Sequence, residues 1–165
     1  MSNQQALLVI DLQNGVCYGQ DELFGLEPLL KKVNQRIDDY RNQHLPIIFI
    51  QHEDEELVKG SESWQLVPQL KNLPEDYYVG KTHANSFYQT NLQELLQELA
   101  IKNLEIVGAQ TQYCVDSTIK FAHGLGYTLF LQRNGTSTLD NPFMTAATTI
   151  AFYEDLWDQR FATFL

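Results

Sequence analysis

Cys114 lies in the segment GAQTQYCVDSTIKFA, whose pattern predicts a strand, a tight turn and a helix that begins at the cysteine. A cysteine at a helix N-terminus faces the positive end of the helix dipole and several unpaired N–H groups, and both lower the pKa of the thiol. The same N–H groups can stabilise an oxyanion during acyl transfer. The position therefore favours a nucleophilic cysteine, with a buried structural cysteine as the open alternative.

Asp11 and Lys81 are two charged residues that would suit such a nucleophile. Asp11 ends the apolar run ALLVID, where a carboxylate is costly unless it is paired, and it could accept the thiol proton and return it to a leaving amine. It could also cap the next turn through the backbone of Gln13 or Asn14. Lys81, in VGKTHANSF, could hold a thiolate and orient the acid, although a lone lysine is more often a solvated surface charge.

Continuous apolar runs, typical of strands buried on both faces, alternate along the chain with stretches of helical periodicity. The runs predict strands at residues 6–11, 46–52, 104–109 and 127–132, and a short fifth strand in RFATFL at the C-terminus. The predicted helices lie at 25–43, 90–103, 114–126 and 141–157, the last starting at Asn141 before Pro142. This alternation predicts a mostly parallel, doubly wound α/β sheet in one domain over residues 1–165.

The stretch from residue 53 to residue 88 interrupts this alternation and predicts a long irregular segment, which in a compact domain is usually functional. In open α/β sheets, ligands bind beyond the carboxyl ends of the strands. Asp11 ends the first predicted strand, His52 and Asp54 end the second, Cys114 follows the third, and Lys81 lies in the irregular segment. We therefore expect these side chains to meet at one rim of the sheet.

The composition excludes several classes of partner. The chain has 165 residues, a formal net charge of -10 and a pI near 4.7, so it lacks the basic surface that nucleic-acid binding requires. Its apolar runs have the length of strands and predict no transmembrane helix. No leader is visible, and two cysteines do not suggest a disulfide framework, so we expect a cytoplasmic protein without a nucleic-acid or membrane partner.

Three segments together resemble the isochorismatase-like cysteine hydrolases. VIDLQNGVC (9–17) is similar to the opening strand with its aspartate, VGKTHANSFYQTNL (79–92) to the lysine segment, and VGAQTQYCVDST (107–118) to the nucleophile turn. A fourth segment, QHEDEELVKGSESWQLVP (51–68), is similar to the second-strand region of a metal-free subgroup. The resemblance follows the family's order and spans almost the whole chain.

The resemblance implies a three-layer α/β/α sandwich of Rossmann-like type and a Cys-Asp-Lys catalytic triad. Cys114 would attack a carbonyl, Asp11 would act as general base and then as acid, and Lys81 would support both. The family's cis peptide maps onto Ala109–Gln110, so that the N–H groups of Gln110 and Cys114 would form the oxyanion hole. The implied activity is hydrolysis of the C–N bond of a small amide through a thioester, without a cofactor. True isochorismatases typically lack the cysteine, so Cys114 argues against that branch.

Three departures from the family pattern qualify these expectations. Nicotinamidases resemble one another in a metal site of the form Asp-x-His, whereas this chain reads His52-Glu53-Asp54, so we expect no bound metal. Asn134 stands where relatives usually carry an aspartate, and the last helix reads FYEDLW where many relatives have a His-rich segment. The altered loop at Asn134 motivates an alternative function, a non-catalytic small-molecule-binding or regulatory module on the same fold.

Pocket walls and partners are less closely defined by the sequence. The family tends to form homo-oligomers, and a dimer is plausible here. Cys17 could be a redox partner of Cys114, although a packed thiol is the favoured interpretation. Candidate substrate contacts are mostly aromatic or apolar residues near the three segments, namely Val16, Cys17, Trp64, Tyr88, Gln112 and Tyr113.

Overall fold

A parallel sheet of seven strands forms the centre of the protein, in a computed structural model that describes residues 4–165. The strands are β1 (Gln5–Ile10), β2 (Ile47–His52), β3 (Tyr77–Lys81), β4 (Asn103–Ala109), β5 (Thr128–Leu131), β6 (Thr136–Ser137) and β7 (Thr163–Phe164). Their order is β3-β2-β1-β4-β5-β7, and the short β6 pairs with the end of β4.

The helices connect these strands on both faces of the sheet. They are α1 (Asn14–Cys17), α2 (Leu26–Asn42), α3 (Leu92–Glu98), a π-helical turn (Thr111–Val115), α4 (Asp116–Gly124) and α5 (Ala146–Trp157). None of the helices within residues 4–165 combines the length and the apolar character that crossing a membrane requires.

The central strand β1 shows why the protein has three layers. Its residues from Ala6 to Ile10 are fully buried, as the continuous apolar run predicts. Leu8 and Ile10 pack into one core cluster with α3, α4 and α5, whereas Leu7 and Val9 pack into another with α2. Because successive side chains point to opposite faces, this single strand contributes to both cores. The predicted α/β/α fold class is confirmed.

The strand β3 lies inside the segment that the sequence predicted to be irregular. It occupies the sheet edge beside β2, and only Val79 and Lys81 of its five residues are buried. An edge strand with so little apolar burial lacks the continuous run that identified the other strands. Lys81 is therefore the last residue of a strand, and the prediction that it lies in an irregular segment was wrong.

The last helix begins at Ala146 and not at Asn141, as the sequence had suggested. Thr145 is its N-cap and accepts a hydrogen bond from the N–H of Thr148. The Asn141 side chain instead accepts hydrogen bonds from the backbone of Phe143 and Met144, which closes a separate turn before the helix.

Gly108 provides a first prediction, because the backbones of β4 and β1 approach closely there. Its φ is +130°, and a Cβ at this position would lie 2.1 Å from the carbonyl oxygen of Ile10. We expect Gly108→Ala to lower the free energy of unfolding by at least about 3 kcal/mol, since backbone strain and a steric clash add. Chemical denaturation measures the change. The control Gly124→Ala meets no atom within 4 Å and should leave stability equal or slightly higher.

Candidate active site

Asp11, Lys81 and Cys114 meet at the carboxyl ends of the central strands. Lys81 Nζ lies 2.8 Å from Asp11 Oδ2 and 3.3 Å from Cys114 Sγ. Asp11 follows β1, Lys81 ends β3, and Cys114 lies in the π-helical turn after β4. The parallel sheet thus brings together three residues that are distant in sequence, at the rim where the sequence placed them.

Lys81 is the centre of this cluster and is 2% exposed. Besides Asp11 and Cys114, its Nζ contacts Nδ1 of His52 at 3.0 Å. An ammonium has three protons to donate, and these three neighbours provide one acceptor each. The buried lysine is therefore fully paired and is not a solvated surface charge.

Asp11 is buried and adopts a positive φ of +52° at the end of β1. Burial raises the pKa of its carboxyl above the usual range, while the Lys81 ammonium opposes that rise. A raised pKa makes the carboxylate a stronger base for a thiol proton. Its Oδ1 has no hydrogen-bond partner within residues 4–165, so Asp11 does not cap the following turn.

Cys114 does not begin a helix, because the π-helical turn Thr111–Val115 precedes α4 and places the cysteine fourth in that turn. Burial, followed by the charge of Asp11, raises the pKa of its thiol to about 12, and Lys81 only partly opposes them. The predicted lowering of this pKa was wrong, since desolvation outweighs any helix-end effect. The raised pKa means that the resting site holds a neutral thiol beside Asp11 and Lys81.

A cavity of about 390 Å³ opens onto Asp11 and Cys114. Val16 and Tyr113 line it, as do Gln110 and Cys114, which are the residues expected to form an oxyanion hole. The other four candidate contacts, Cys17, Trp64, Tyr88 and Gln112, are not among its lining residues. His52 and Asp54, which the sequence analysis expected at this rim, also line it. The sequence interpretation missed the remaining wall residues, which are Gly15, Gly19, Gln20, Glu56, Leu57 and Leu139.

Side-chain hydrogen bonds fix the segments that carry the cluster. Ser86, five residues after Lys81, receives a hydrogen bond on Oγ from Thr118 Oγ1 in α4, at 2.9 Å. The backbone N–H of Ser86 in turn donates to the same Thr118 oxygen. This reciprocal pair ties the lysine segment to the helix that follows Cys114. Nothing in the spacing of a serine and a threonine in sequence predicts their contact.

Gln110 is held from the other side of the turn. The peptide bond that precedes it is cis. Its side-chain Oε1 accepts a hydrogen bond from Thr138 Oγ1 at 3.0 Å, and the neighbouring Thr111 hydroxyl pairs with that of Thr136 at 2.9 Å. The region of β6 therefore supports the turn that carries the nucleophile.

His52 and Asp54 stand where nicotinamidases carry their metal site, and here they contact one another and Lys81. His52 Nε2 lies 3.2 Å from Asp54 Oδ2, and His52 Nδ1 is occupied by Lys81. Neither ring nitrogen is free to ligate a cation, so these residues do not fit a metal. In the part of the chain that the structure describes, no group of three His, Cys, Asp or Glu side chains is arranged to hold a metal ion.

Asn134 and the last helix, the two other departures from the family pattern, contact one another away from the cavity. The backbone N–H of Asn134 donates to Glu154 Oε1 at 2.6 Å, and Glu154 belongs to the FYEDLW segment of α5. Neither residue lines the cavity. Both departures therefore concern how α5 is attached to the loop before β6.

Cys17 and Cys114 are both free, and they pack into different core clusters. Cys17 is fully buried, and burial raises the pKa of its thiol to about 12. These surroundings are those of a packed thiol.

Known proteins resemble this chain in fold and in sequence. A crystal structure of an isochorismatase family protein matches with a TM-score of 0.97 and 54% identity, covering 100% of this chain and 99% of that one. The ureidoacrylate amidohydrolase RutB of Agrobacterium fabrum is 34% identical over 92 residues, which are 56% of this chain and 40% of RutB. Nicotinamidase 3 of Arabidopsis thaliana is 24% identical over 152 residues, covering 82% of this chain and 74% of its own. The family profile of the isochorismatase domain matches residues 5–164. The chain therefore belongs to the isochorismatase family.

Proposed function

We propose that the protein hydrolyses the C–N bond of a small amide through a thioester on Cys114. The observation that carries this proposal is the buried Lys81 ammonium, which contacts the Asp11 carboxylate and the Cys114 sulfur at once. A thiol, a base and a cation in one cluster beside a cavity match the requirements of nucleophilic catalysis. The similar proteins named as an amidohydrolase and a nicotinamidase support the choice of an amide.

The first half of the reaction transfers the thiol proton, through Asp11, to the leaving nitrogen. Asp11 accepts the proton of Cys114 as the sulfur attacks the carbonyl carbon, and the backbone N–H groups of Gln110 and Cys114 stabilise the oxyanion. The C–N bond then breaks, and Asp11 returns the proton to the leaving nitrogen, which departs as ammonia or an amine. Lys81 stabilises the sulfur while it carries negative charge.

The second half uses water. Asp11 takes a proton from a water molecule as that water attacks the thioester carbon. The C–S bond breaks, a carboxylic acid is released, and the sulfur recovers its proton from Asp11. The unpartnered Oδ1 of Asp11 is an oxygen that can donate its proton to the leaving nitrogen and then accept a proton from the water.

The cavity suggests the kind of amide to test first. Its volume of about 390 Å³ suits a small molecule. Asp54 and Glu56 line it, whereas no lysine or arginine does so within the described residues. A substrate carboxylate would meet repulsion there, so neutral amides are the first choice.

Trapping of the thioester tests the proposal. Each member of a panel of small neutral amides is mixed with the protein, ammonia release is measured, and acid-quenched samples are analysed by intact mass and peptide mapping. We expect an acyl adduct on Cys114 for any amide that is turned over, and none in Cys114→Ala. Turnover that persists in Cys114→Ala, or an adduct on another residue, would contradict the proposed route.

The pH dependence of alkylation provides a further prediction. Because the thiol pKa of Cys114 is about 12, its thiolate fraction grows with every pH step below that value. We expect the iodoacetamide reaction rate of Cys114 to rise about tenfold per unit between roughly pH 7 and pH 9. Asp11→Asn removes a charge that raises this pKa and should speed alkylation. A plateau of the alkylation rate within this pH range would show that the thiol pKa is lower. As a control, buried Cys17 should react with iodoacetamide only after unfolding.

A further inference from the structure

His52 makes contacts at the active site that the triad does not explain. It ends β2 opposite Lys81 in the strand register, and its Nδ1 lies 3.0 Å from Lys81 Nζ. Its Nε2 lies 3.2 Å from Asp54 Oδ2. The ring thus joins a cation on one side to an anion on the other.

These two neighbours demand the same tautomer of His52. An ammonium can only donate hydrogen bonds, so Lys81 requires an unprotonated Nδ1. A carboxylate can only accept them, so Asp54 Oδ2, 3.2 Å away, favours a proton on Nε2. A neutral imidazole with its proton on Nε2 satisfies both, and the charge of Asp54 holds the proton there.

Asp54 is itself fixed in orientation. Its Oδ1 accepts hydrogen bonds from the backbone N–H groups of Glu56 and Leu57, each at 2.8 Å. Those two bonds leave Oδ2 directed at His52. The loop after β2 therefore presents one carboxylate oxygen to the imidazole. This oxygen can only accept a hydrogen bond from the ring.

We propose that His52 and Asp54 are positioning residues that orient the Lys81 ammonium towards Asp11 and Cys114. This inference rests on the proposed hydrolase function. When His52 Nδ1 accepts a hydrogen bond from one N–H of the ammonium, the remaining two N–H groups point at Asp11 Oδ2 and Cys114 Sγ. Without that acceptor, a buried N–H is left unpaired, and the ammonium turns away from the sulfur to find another partner.

Asp54→Asn tests the tautomer directly. The backbone N–H groups of Glu56 and Leu57 still require the amide oxygen, so the new NH₂ group faces His52 Nε2. The imidazole then accepts at Nε2 and carries its proton on Nδ1, against the ammonium. We expect kcat to fall about 10- to 100-fold with KM changed by less than about threefold. The control Glu55→Gln makes the same chemical change at the residue that follows Asp54 and should leave kcat unaltered.

Two variants of His52 distinguish the loss of a hydrogen-bond acceptor from a change in side-chain volume. Asn carries an oxygen on the same carbon that bears Nδ1, whereas Leu has the same shape and no acceptor. His52→Leu should lose as much kcat as Asp54→Asn, and His52→Asn should recover most of it. Equal loss in both variants would overturn the proposal and leave His52 with a packing or substrate-contact role.

Two readouts do not depend on finding a substrate. In ¹⁵N spectra of labelled protein, His52 should carry its proton on Nε2, and Asp54→Asn should move it to Nδ1; a wild-type proton on Nδ1 would overturn the inference. The alkylation of Cys114 at one fixed pH should slow about three- to tenfold in Asp54→Asn and His52→Leu, since a looser Lys81 contact raises the thiol pKa. Unchanged alkylation in both variants would also overturn it. If no amide is turned over, the hydrolase proposal fails while these two tests still decide the role of His52.

Discussion

Replacement of Cys114 by serine or alanine should lower kcat for the best amide substrate by about 10³-fold or more, with the fold intact. The expected loss is large because every step of the proposed reaction passes through a bond to sulfur. Serine does not rescue it, since a hydroxyl is a far weaker acid than a thiol and Asp11 is a carboxylate base. Steady-state turnover of the amide identified by the screen measures the effect.

The controls separate chemistry from binding and folding. Cys17→Ser changes the other free cysteine and should leave kcat within a few-fold, although burial of a hydroxyl in the apolar cluster will cost some stability. Cys114→Ala should still bind the amide, as measured by calorimetry, because the walls of the cavity remain. Turnover within about tenfold of wild type in Cys114→Ala would favour a mechanism without a covalent intermediate.

The parts of the fold that could be predicted from sequence are those with the most apolar burial. β1, β2 and β4 are almost continuously buried, so their apolar runs are unbroken and their ends are clear. The residues just beyond such runs lie at the carboxyl rim of a parallel sheet. This rule, with the family resemblance, was sufficient to expect Asp11 and Cys114 near one another.

The features that escaped prediction depend on contacts between distant segments. β3 is an edge strand without a continuous apolar run, so its sequence did not indicate that Lys81 ends a strand beside His52. The thiol pKa depends on how deeply the turn is buried and on the neighbouring carboxylate, which local sequence does not report. His52 was expected at the rim but had no role beyond a weak metal signal, because its tautomer is set by two partners that the fold supplies.

Lys81→Met should abolish activity and also make the stability of the protein strongly dependent on pH. In the wild type the ammonium opposes the effect of burial on the Asp11 carboxyl. Without it, the pKa of Asp11 in the folded protein rises further above its unfolded value of about 3.9. The folded variant then holds a proton that the unfolded chain has released. Its free energy of unfolding should therefore fall by up to about 1.4 kcal/mol for each pH unit above about 4, until Asp11 ionises.

A double variant distinguishes this electrostatic cost from the loss of packing. Lys81→Met with Asp11→Asn removes the titrating group, so the extra pH slope should vanish while any packing cost persists at every pH. Urea denaturation of the wild type, both single variants and the double variant between about pH 5 and pH 8 measures the slopes. Breaking a buried pair typically costs about 3–5 kcal/mol, a change in the free energy of unfolding that this measurement detects readily. If Lys81→Met had the same slope as the wild type, the ammonium would not be what limits the rise of the Asp11 pKa, and the role of Asp11 as the base would lose its physical support.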